Sequence, residues 1–339
     1  MGKTFIPTGS TAAKKIWDEK IWREAMKVSY FNKFMNTKGD SIVFEKDELT
    51  KSKGDTIYFG LRTRLDKGYL PSGTPVEGNE NALTTFQDSV VVDEKNFGIR
   101  DGGMIVRQRA FYDLDMESEQ ALIDQSAENF DLEMFTKLKA TNTSNLYEVA
   151  GVFTRTATLA TAISGVTTAD TLNPEFITKI KTWALTNRVS QIPMKPIRVE
   201  GRDYLVLLVH PDCLADLEVD TTFAQARREA EVRGKDNPIF TGAYAIWNGV
   251  VIHAHENVTI ASNGGLGSNV PYAQNYLLGE RALVLGMAKK PTIVADTFSY
   301  GQENGYASLA MFGVKKPQFN SQDYGSVSIV TARTNISGT

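Results

Sequence analysis

Two alternating stretches held apart by a long polar connection limit the folds open to this sequence more than anything else in it. Residues 54–65 put Ile57, Phe59, Leu61 and Leu65 on one side and Tyr58, Arg62 and Arg64 on the other, the period of two that a strand requires. Residues 84–99 return with Val90 and Val92 on one face and carry Asp88, Asp93 and Glu94. Between them, "DKGYLPSGTPVEGNENAL" (66–83), with Lys67 and Tyr69 near its start, is rich in Gly, Pro and Asn and almost free of apolar residues. The pattern predicts a hairpin that pairs a basic strand with an acidic one. A two-stranded hairpin is at best marginal alone in water, so this one needs another surface to cover its apolar stripe. The plain alternative is a solvated ladder of charges.

Upstream, residues 11–35 carry Ile16, Trp17, Ile21, Ala25, Val28, Phe31 and Met35 at steps of mostly three to five, an amphipathic helix or a pair of short helices. Trp22, Tyr30 and Phe34 widen the apolar surface beyond one stripe, so this arm is expected to dock outside its own domain, with Trp17 and Trp22 as contact candidates. Downstream, "MESEQALIDQSAENFDLEMFTKLKA" (116–140) repeats Ile123, Ala127, Phe130, Met134 and Leu138 at helical spacing, with Asp115 as N-cap and Glu117 and Glu119 at the positive end of the dipole. At 1.5 Å per residue this helix is about 37 Å long, far beyond the usual three turns, and reads as a spine that carries other elements.

Residues 141–172 are rich in Thr, Ala and Gly and show no clear period. "NPEFITKIKTWAL" then opens a helix with Asn173 as N-cap and Pro174 in its first turn. "YLVLLV" (204–209) is a short buried strand, "HPDCLADL" a helix started by Pro211, and "TTFAQARREAEVRG" a polar helix ended by Gly234. "AYAIWNGVVIHAHENV" is a hairpin turning at Asn248-Gly249 in type I′ geometry. "YLLGERALVLGM" and residues 292–299, 305–314 and 326–331 complete a β-rich tail. Helices and strands are segregated, so the fold class is α+β and not a doubly wound α/β sheet.

The 339 residues, 42% hydrophobic and 23% charged, describe a chain that folds in water with one large or two modest cores. No stretch is apolar enough to span a bilayer, the first residues lack a signal-peptide core, and the position that a myristoylation signal needs as Ser or Thr is Ile6. The chain is therefore expected to be made in a cytoplasm, without a membrane partner. A net charge of −3 argues against a broad grip on nucleic acid, and a single cysteine, Cys213, excludes an internal disulfide framework.

The search for chemistry finds no constellation. His253 and His255 share a face of a strand, and His210 would complete a set of three imidazoles for zinc, but no further motif fixes such a set, and two histidines on the polar face of a hairpin is the preferred reading. "GGLGSN" (264–269) lacks the Lys-Ser/Thr of a phosphate loop and is followed by Val270-Pro271, so it reads as a plain loop. Cys213 lies three residues after His210, which is no evidence of a dyad, and a buried structural thiol is expected. Neither an enzyme nor a bound cofactor or metal is predicted.

The order of parts is an apolar arm, a long hairpin with a polar tip, a spine helix, a mixed α/β segment and a β-rich return. Carried best by "WDEKIWREAMKVSYFNKFM", "KGDTIYFGLRTRLDKGYLPSGTPVEGNE" with "FGIRDGG", "YLLGERALVLGMAKKP" and "NGYASLAMFGVKKPQF", that order resembles the major capsid protein of tailed bacteriophages. It is closest to a branch found in short-tailed and related phages, and the fold is shared with the floor of herpesvirus shells. The resemblance implies an N-terminal arm (1–50), an extended loop (51–101), a peripheral domain (102–165 with 287–316) and an axial α/β domain (166–286 with 317–339). It implies self-assembly into the pentamers and hexamers of an icosahedral head in the host cytoplasm, with a virion as destination. A separate scaffolding protein is expected, since few residues precede the hairpin, and a portal, a decoration or cement protein, and packaged double-stranded DNA held by weak contacts are the other expected partners. Interface candidates are then Trp17, Trp22, Ile57, Phe59, Leu61, Arg62, Arg64, Lys67, Tyr69, Asp88, Asp93 and Glu94. Some related shells weld subunits through a Lys and an Asn. Lys67 lies near the tip and Asn304 or Asn320 in the returning region, but nothing specifies the pairing, and a solvated Lys67 is the preferred reading. The rival readings are an encapsulin-like compartment shell and a stand-alone enzyme or ligand-binding protein.

Overall fold

The long helix expected from its periodicity lies between two sheets. The structure, a computed structural model, describes residues 29–37, 40–48, 54–63, 69–109, 114–140, 142–186, 194–199, 201–229 and 243–334. It starts with a 3₁₀ turn (Tyr30–Phe34), then β1 (Met35–Asn36), β2 (Val43–Lys46), β3 (Thr56–Arg62), β4 (Thr85–Val91) and β5 (Asp93–Arg100). Helices α1 (Met104–Arg109) and α2 (Leu114–Lys139) follow, then β6 (Asn145–Val149), β7 (Val152–Thr156), α3 (Leu159–Gly165) and α4 (Pro174–Thr186). Next come β8 (Ile197–Val199), β9 (Arg202–Val209), α5 (Pro211–Val219) and α6 (Thr221–Glu229). The chain then runs through β10 (Ala245–Trp247), β11 (Val250–Ala254), β12 (Thr259–Gly264), β13 (Val270–Leu278), β14 (Leu283–Phe298) and β15 (Glu303–Lys315). The short β16 (Gln318–Phe319) and β17 (Gln322–Asp323) precede β18 (Ser326–Ala332).

One sheet has the order β1-β2-β14-β15-β5, and a nine-stranded sheet the order β10-β11-β9-β13-β18-β6-β7, with β12 beside β13 and β8 beside β9. The five residues picked out by spacing in α2, Ile123, Ala127, Phe130, Met134 and Leu138, are all buried. Phe130, Met134 and Leu138 join Leu283, Leu285 and Phe312 of the first sheet and Val206, Leu208 and Val251 of the second in one core. The alternate residues Leu205, Leu207, Val250 and Ile252 face α4 and α5 on the other side of the nine-stranded sheet. Both faces of β9 are therefore covered, which is why "YLVLLV" is a continuous apolar run and not an alternating one.

Local signals hold where the chemistry is specific. Asn173 accepts a hydrogen bond at 2.7 Å from the Phe176 amide at the start of α4, and Asn248 and Gly249 both have positive φ (46° and 77°), as a type I′ turn requires. Asp115 is not the N-cap of α2 but lies inside its first turn. The arm helix expected over 11–35 is, in its described part, a 3₁₀ turn and a short strand, and Gly234 lies outside the described residues. Residues 141–172 hold a hairpin and a helix that periodicity did not reveal. β6 pairs with β18 and β7 with β6, so residues 145–156 extend the nine-stranded sheet. The crossover from β15 to β18 is tied down by Lys316, which is buried, meets Asp323 at 3.2 Å and donates to the Ala140 carbonyl (2.7 Å) and Asn142 Oδ1 (2.8 Å).

Candidate assembly surfaces

β3 and β4 form a two-stranded sheet of their own, in register from Thr56↔Val91 to Arg62↔Thr85, and join neither larger sheet. What fixes this hairpin is its root. Gly286 and Gly313 stand opposite each other on β14 and β15 and make a notch in the first sheet. A Cβ at Gly313 would strike the Val91 carbonyl, and one at Gly286 would press at 3.1 Å on Ile57 and Val90, so the hairpin backbone approaches as only glycine permits. Ile57 and Val90 close over Val284 in the notch, and Phe59 meets Phe319 edge-on at 6.1 Å. Asp88 accepts from the Lys315 ammonium and, at 2.9 Å, from the Gln318 amide.

This arrangement corrects two expectations. Ile57, only 3% exposed, is covered by its own subunit and is not offered to a neighbour. Among its described residues the hairpin also shows no ladder of opposite charges. Arg62 faces Thr85, Asp88 faces Phe59 and therefore lies on the apolar side, and Asp93 and Glu94 sit on β5, opposite Phe312 and Met311 of β15. Asp88 is consequently occupied as an internal tether. Phe59 and Leu61 are half-buried, Arg62 is exposed, and Trp17, Trp22, Arg64 and Lys67 lie outside the described residues.

Beyond its root the hairpin presents contact area. The Thr63 amide donates to the Thr84 carbonyl at 3.1 Å, and turns at 71–74 and 76–79 carry Gly73 and Gly78 at positive φ. Tyr69 is fully exposed, and Val76 and Leu83 are largely so. A second exposed apolar group, missed in the sequence, stands where β14 turns into β15. Ser299, Tyr300 and Gly301 all have positive φ, which thrusts the Tyr300 ring into solvent. Helix α1 is held there by Arg107, which pairs with Asp101 at 2.9 Å and donates to the Gln302 carbonyl at 2.8 Å, and it leaves Met104, Ile105 and Val106 exposed in succession. Arg100 lies over the Phe298 ring at 4.5 Å and pairs with Glu303. Of the two asparagines considered for a weld, Asn304 donates to Asp115 at 3.4 Å, and Asn320 sits at positive φ between β16 and β17.

The histidines are not on a polar face. His253 is fully buried with Lys33 Nζ 3.4 Å from its Nδ1, and the His255 ring packs between Tyr30 (4.4 Å) and Phe135 (4.8 Å). They line the junction of the arm, α2 and the nine-stranded sheet. Burial holds the His255 pKa below its ordinary value and pulls that of Lys33 down to about 8, with Asp131 opposing in both cases. His210 Nδ1 instead accepts from the Asp212 amide at the start of α5, and burial pushes the Cys213 thiol up to about 11, away from nucleophilic use. Among the described residues no three His, Cys, Asp or Glu side chains converge as a metal ion would need.

A hairpin rooted in one subunit, with its tip exposed beyond a long helix and two sheets, is a shape seen in viral shells. The family model described as phage capsid protein matches residues 5–334. The chain belongs to the phage capsid protein family. The major capsid protein of Pseudomonas phage KPP25 is 24% identical to this capsid protein, over 94% of this chain and 95% of that one. The capsid of Ralstonia phage GP4 is similar at a TM-score of 0.76 and 26% identity, over 99% of both chains. The capsid of cyanophage Pam1 shares the fold at a TM-score of 0.77 and 22% identity, over 91% of this chain and 93% of that one. The fold is thus that of tailed-phage capsids, and the protein is a major capsid protein, a structural component of a virion. These similarities favour a phage head over a compartment shell.

Proposed function

We propose that this capsid protein builds pentamers and hexamers of an icosahedral head around packaged double-stranded DNA, and that the hairpin is a principal clasp between neighbouring subunits. The observation that carries this reading is the hairpin itself, a separate two-stranded sheet packed on its own subunit at its root, with Tyr69, Val76 and Leu83 exposed towards its tip. Such a ribbon gains little stability alone and gains it when a neighbour covers the tip. Phe59, Leu61 and Arg62 continue that surface towards the root, while Asp93 and Glu94 charge the exposed edge strand β5. The turn at Tyr300 with Met104, Ile105 and Val106 forms a second contact, at the end of the first sheet.

In this reading the first sheet with α2 is the peripheral domain and the nine-stranded sheet is the axial one. Contacts that are individually weak give a stable closed shell when each subunit makes several at once, and weak contacts still allow misplaced subunits to leave. A net charge of −3 suits a wall that must not hold DNA while it is packed. The same proposal includes a separate scaffolding protein, a portal, a decoration protein, and assembly in the host cytoplasm. Deleting residues 68–82 tests the clasp. The subunit is expected to fold and to assemble poorly, and either loss of folding or unimpaired shells contradicts the assignment.

A further inference from the structure

Two features of the first sheet do nothing for the stability of one subunit alone. The first is the turn that carries Tyr300. Ser299 and Tyr300 have φ of 53° and 56°, a left-handed backbone that is unfavourable for residues with a side chain, and Gly301 follows at 84°. The turn is nevertheless built on a firm base. Arg100 lies over the Phe298 ring and pairs with Glu303, and Phe298 itself packs on Gly305, where a Cβ would meet its ring at 2.5 Å. The Tyr300 ring, held out by this base, is fully exposed.

The second feature is a cleft of about 340 Å³ between α2 and the same sheet. Phe97, Phe130 and Phe312 line it, with the partly exposed Leu132 on the helix side. Ser308 lines it too, is 1% exposed, and its hydroxyl has no hydrogen-bond partner among the described residues. A buried hydroxyl in apolar surroundings is unfavourable until a partner reaches it. Lys95 and Glu133, paired at 3.6 Å, stand at the rim.

We infer that Tyr300 of one subunit inserts into this cleft on a neighbouring copy, with its ring among the three phenylalanines and its phenol hydroxyl against Ser308. The inference rests on the shell reading above and names what the second contact engages. A tyrosine supplies what the cleft lacks, an apolar ring with one hydroxyl at its end, and such residues are the usual anchors of interfaces. The charges agree as well. Arg100 and Glu303 flank the inserted ring while Glu133 and Lys95 flank the cleft, so the two pairs can exchange partners across the contact. Tyr300 does not reach the cleft of its own subunit. Ser308 lies five residues along β15 from its start at Glu303, about 17 Å at the rise of a strand, and the turn is beyond that end. Knob and cleft are different surfaces, so the contact is heterologous, the kind that closes subunits into rings.

The test uses the full chain with p-benzoylphenylalanine in place of Tyr300, expressed with an excess of unaltered chain and the other head genes, and irradiated in assembled particles. Adducts between two subunits are expected, joining the turn at residue 300 to peptides that contain Phe97, Leu132 or Phe312. Adducts to any other surface, or none in intact shells, overturn the inference and leave the shell reading standing. Absence of shells from the unaltered chain overturns the shell reading and this inference with it. Tyr300→Phe and Ser308→Ala are each expected to speed release of subunits from shells in urea about fivefold, as loss of one hydrogen bond predicts, and the double variant to release no faster than either. Unchanged rates, or a double variant faster by the product of about 25-fold, overturn the pairing of the two hydroxyls.

Discussion

Replacing Asp88 by Ala should loosen the hairpin at its root without unfolding the subunit. The carboxylate holds two donors from the crossover after β15, the Lys315 ammonium and the Gln318 amide. The Lys315 side chain is 40% exposed and regains water when its partner goes, so the ion pair contributes at most about 1 kcal/mol. The Gln318 amide is part-buried and is left without its acceptor, a cost of about 1–3 kcal/mol. Together these favour local opening by about 1–4 kcal/mol, equivalent to roughly 5- to 700-fold in the opening equilibrium. Ile57, Val90 and Val284 remain packed, so the two main cores keep their stability. Hydrogen exchange read peptide by peptide is the assay. Amides in β3 and β4 should lose protection by that factor, those in β9 and β13 should not, and Asp88→Asn should fall between. Unchanged protection in the hairpin, or equal loss throughout the subunit, would refute the idea that this tether acts locally.

Three further outcomes follow from the same geometry. Gly313→Ala should destabilise the subunit by about 1–3 kcal/mol or more in urea titration, because the added methyl meets the Val91 carbonyl and the hairpin must lift from its notch. Asp323→Ala should cost about 3–5 kcal/mol by leaving Lys316 buried without its carboxylate, and Lys316→Met in that background should recover much of the loss. Acid should weaken the fold. Burial lowers the His255 and His210 pKa values, so the unfolded chain takes up protons first as pH falls through about 6.5, and their contribution to stability is fully present above that pH and lost progressively below it. Asp131 and Glu256 oppose the shift at His255 and Lys33 adds to it, and His255→Phe should reduce the slope between pH 7 and 5.5 without abolishing it.

The elements with strong local chemistry were legible in the sequence. The periodicity of α2 named Ile123, Ala127, Phe130, Met134 and Leu138 of its buried face, though not Leu122, Asp131 or Phe135, and Asn173, Pro174 and Asn248-Gly249 marked their cap and turn. What escaped depends on distant partners. The alternation of 54–65 identified the apolar stripe but not its cover, since the notch of Gly286 and Gly313 forms only when β14 and β15 pair. A lone Gly inside each apolar run, "LVLGM" and "MFGVK", was the available hint of a close backbone approach. Asp131 looked like one more charge on a helix, although it anchors residues 29–31 of the arm from 100 to 102 residues away. The histidines alternated in a strand, and nothing local told that Tyr30 and Phe135 would bury that face. At the turn the Ser299-Tyr300-Gly301 run hinted at a bend, but the exposure of the Tyr300 ring is a matter of backbone geometry.

The central claim is that this chain closes a shell, and electron microscopy of the protein expressed together with the head genes of its own genome tests it most directly. The account predicts closed icosahedral particles of uniform diameter, with the hairpin of each subunit lying across a neighbour. A soluble monomer under those conditions, with no shells at any concentration, would contradict it.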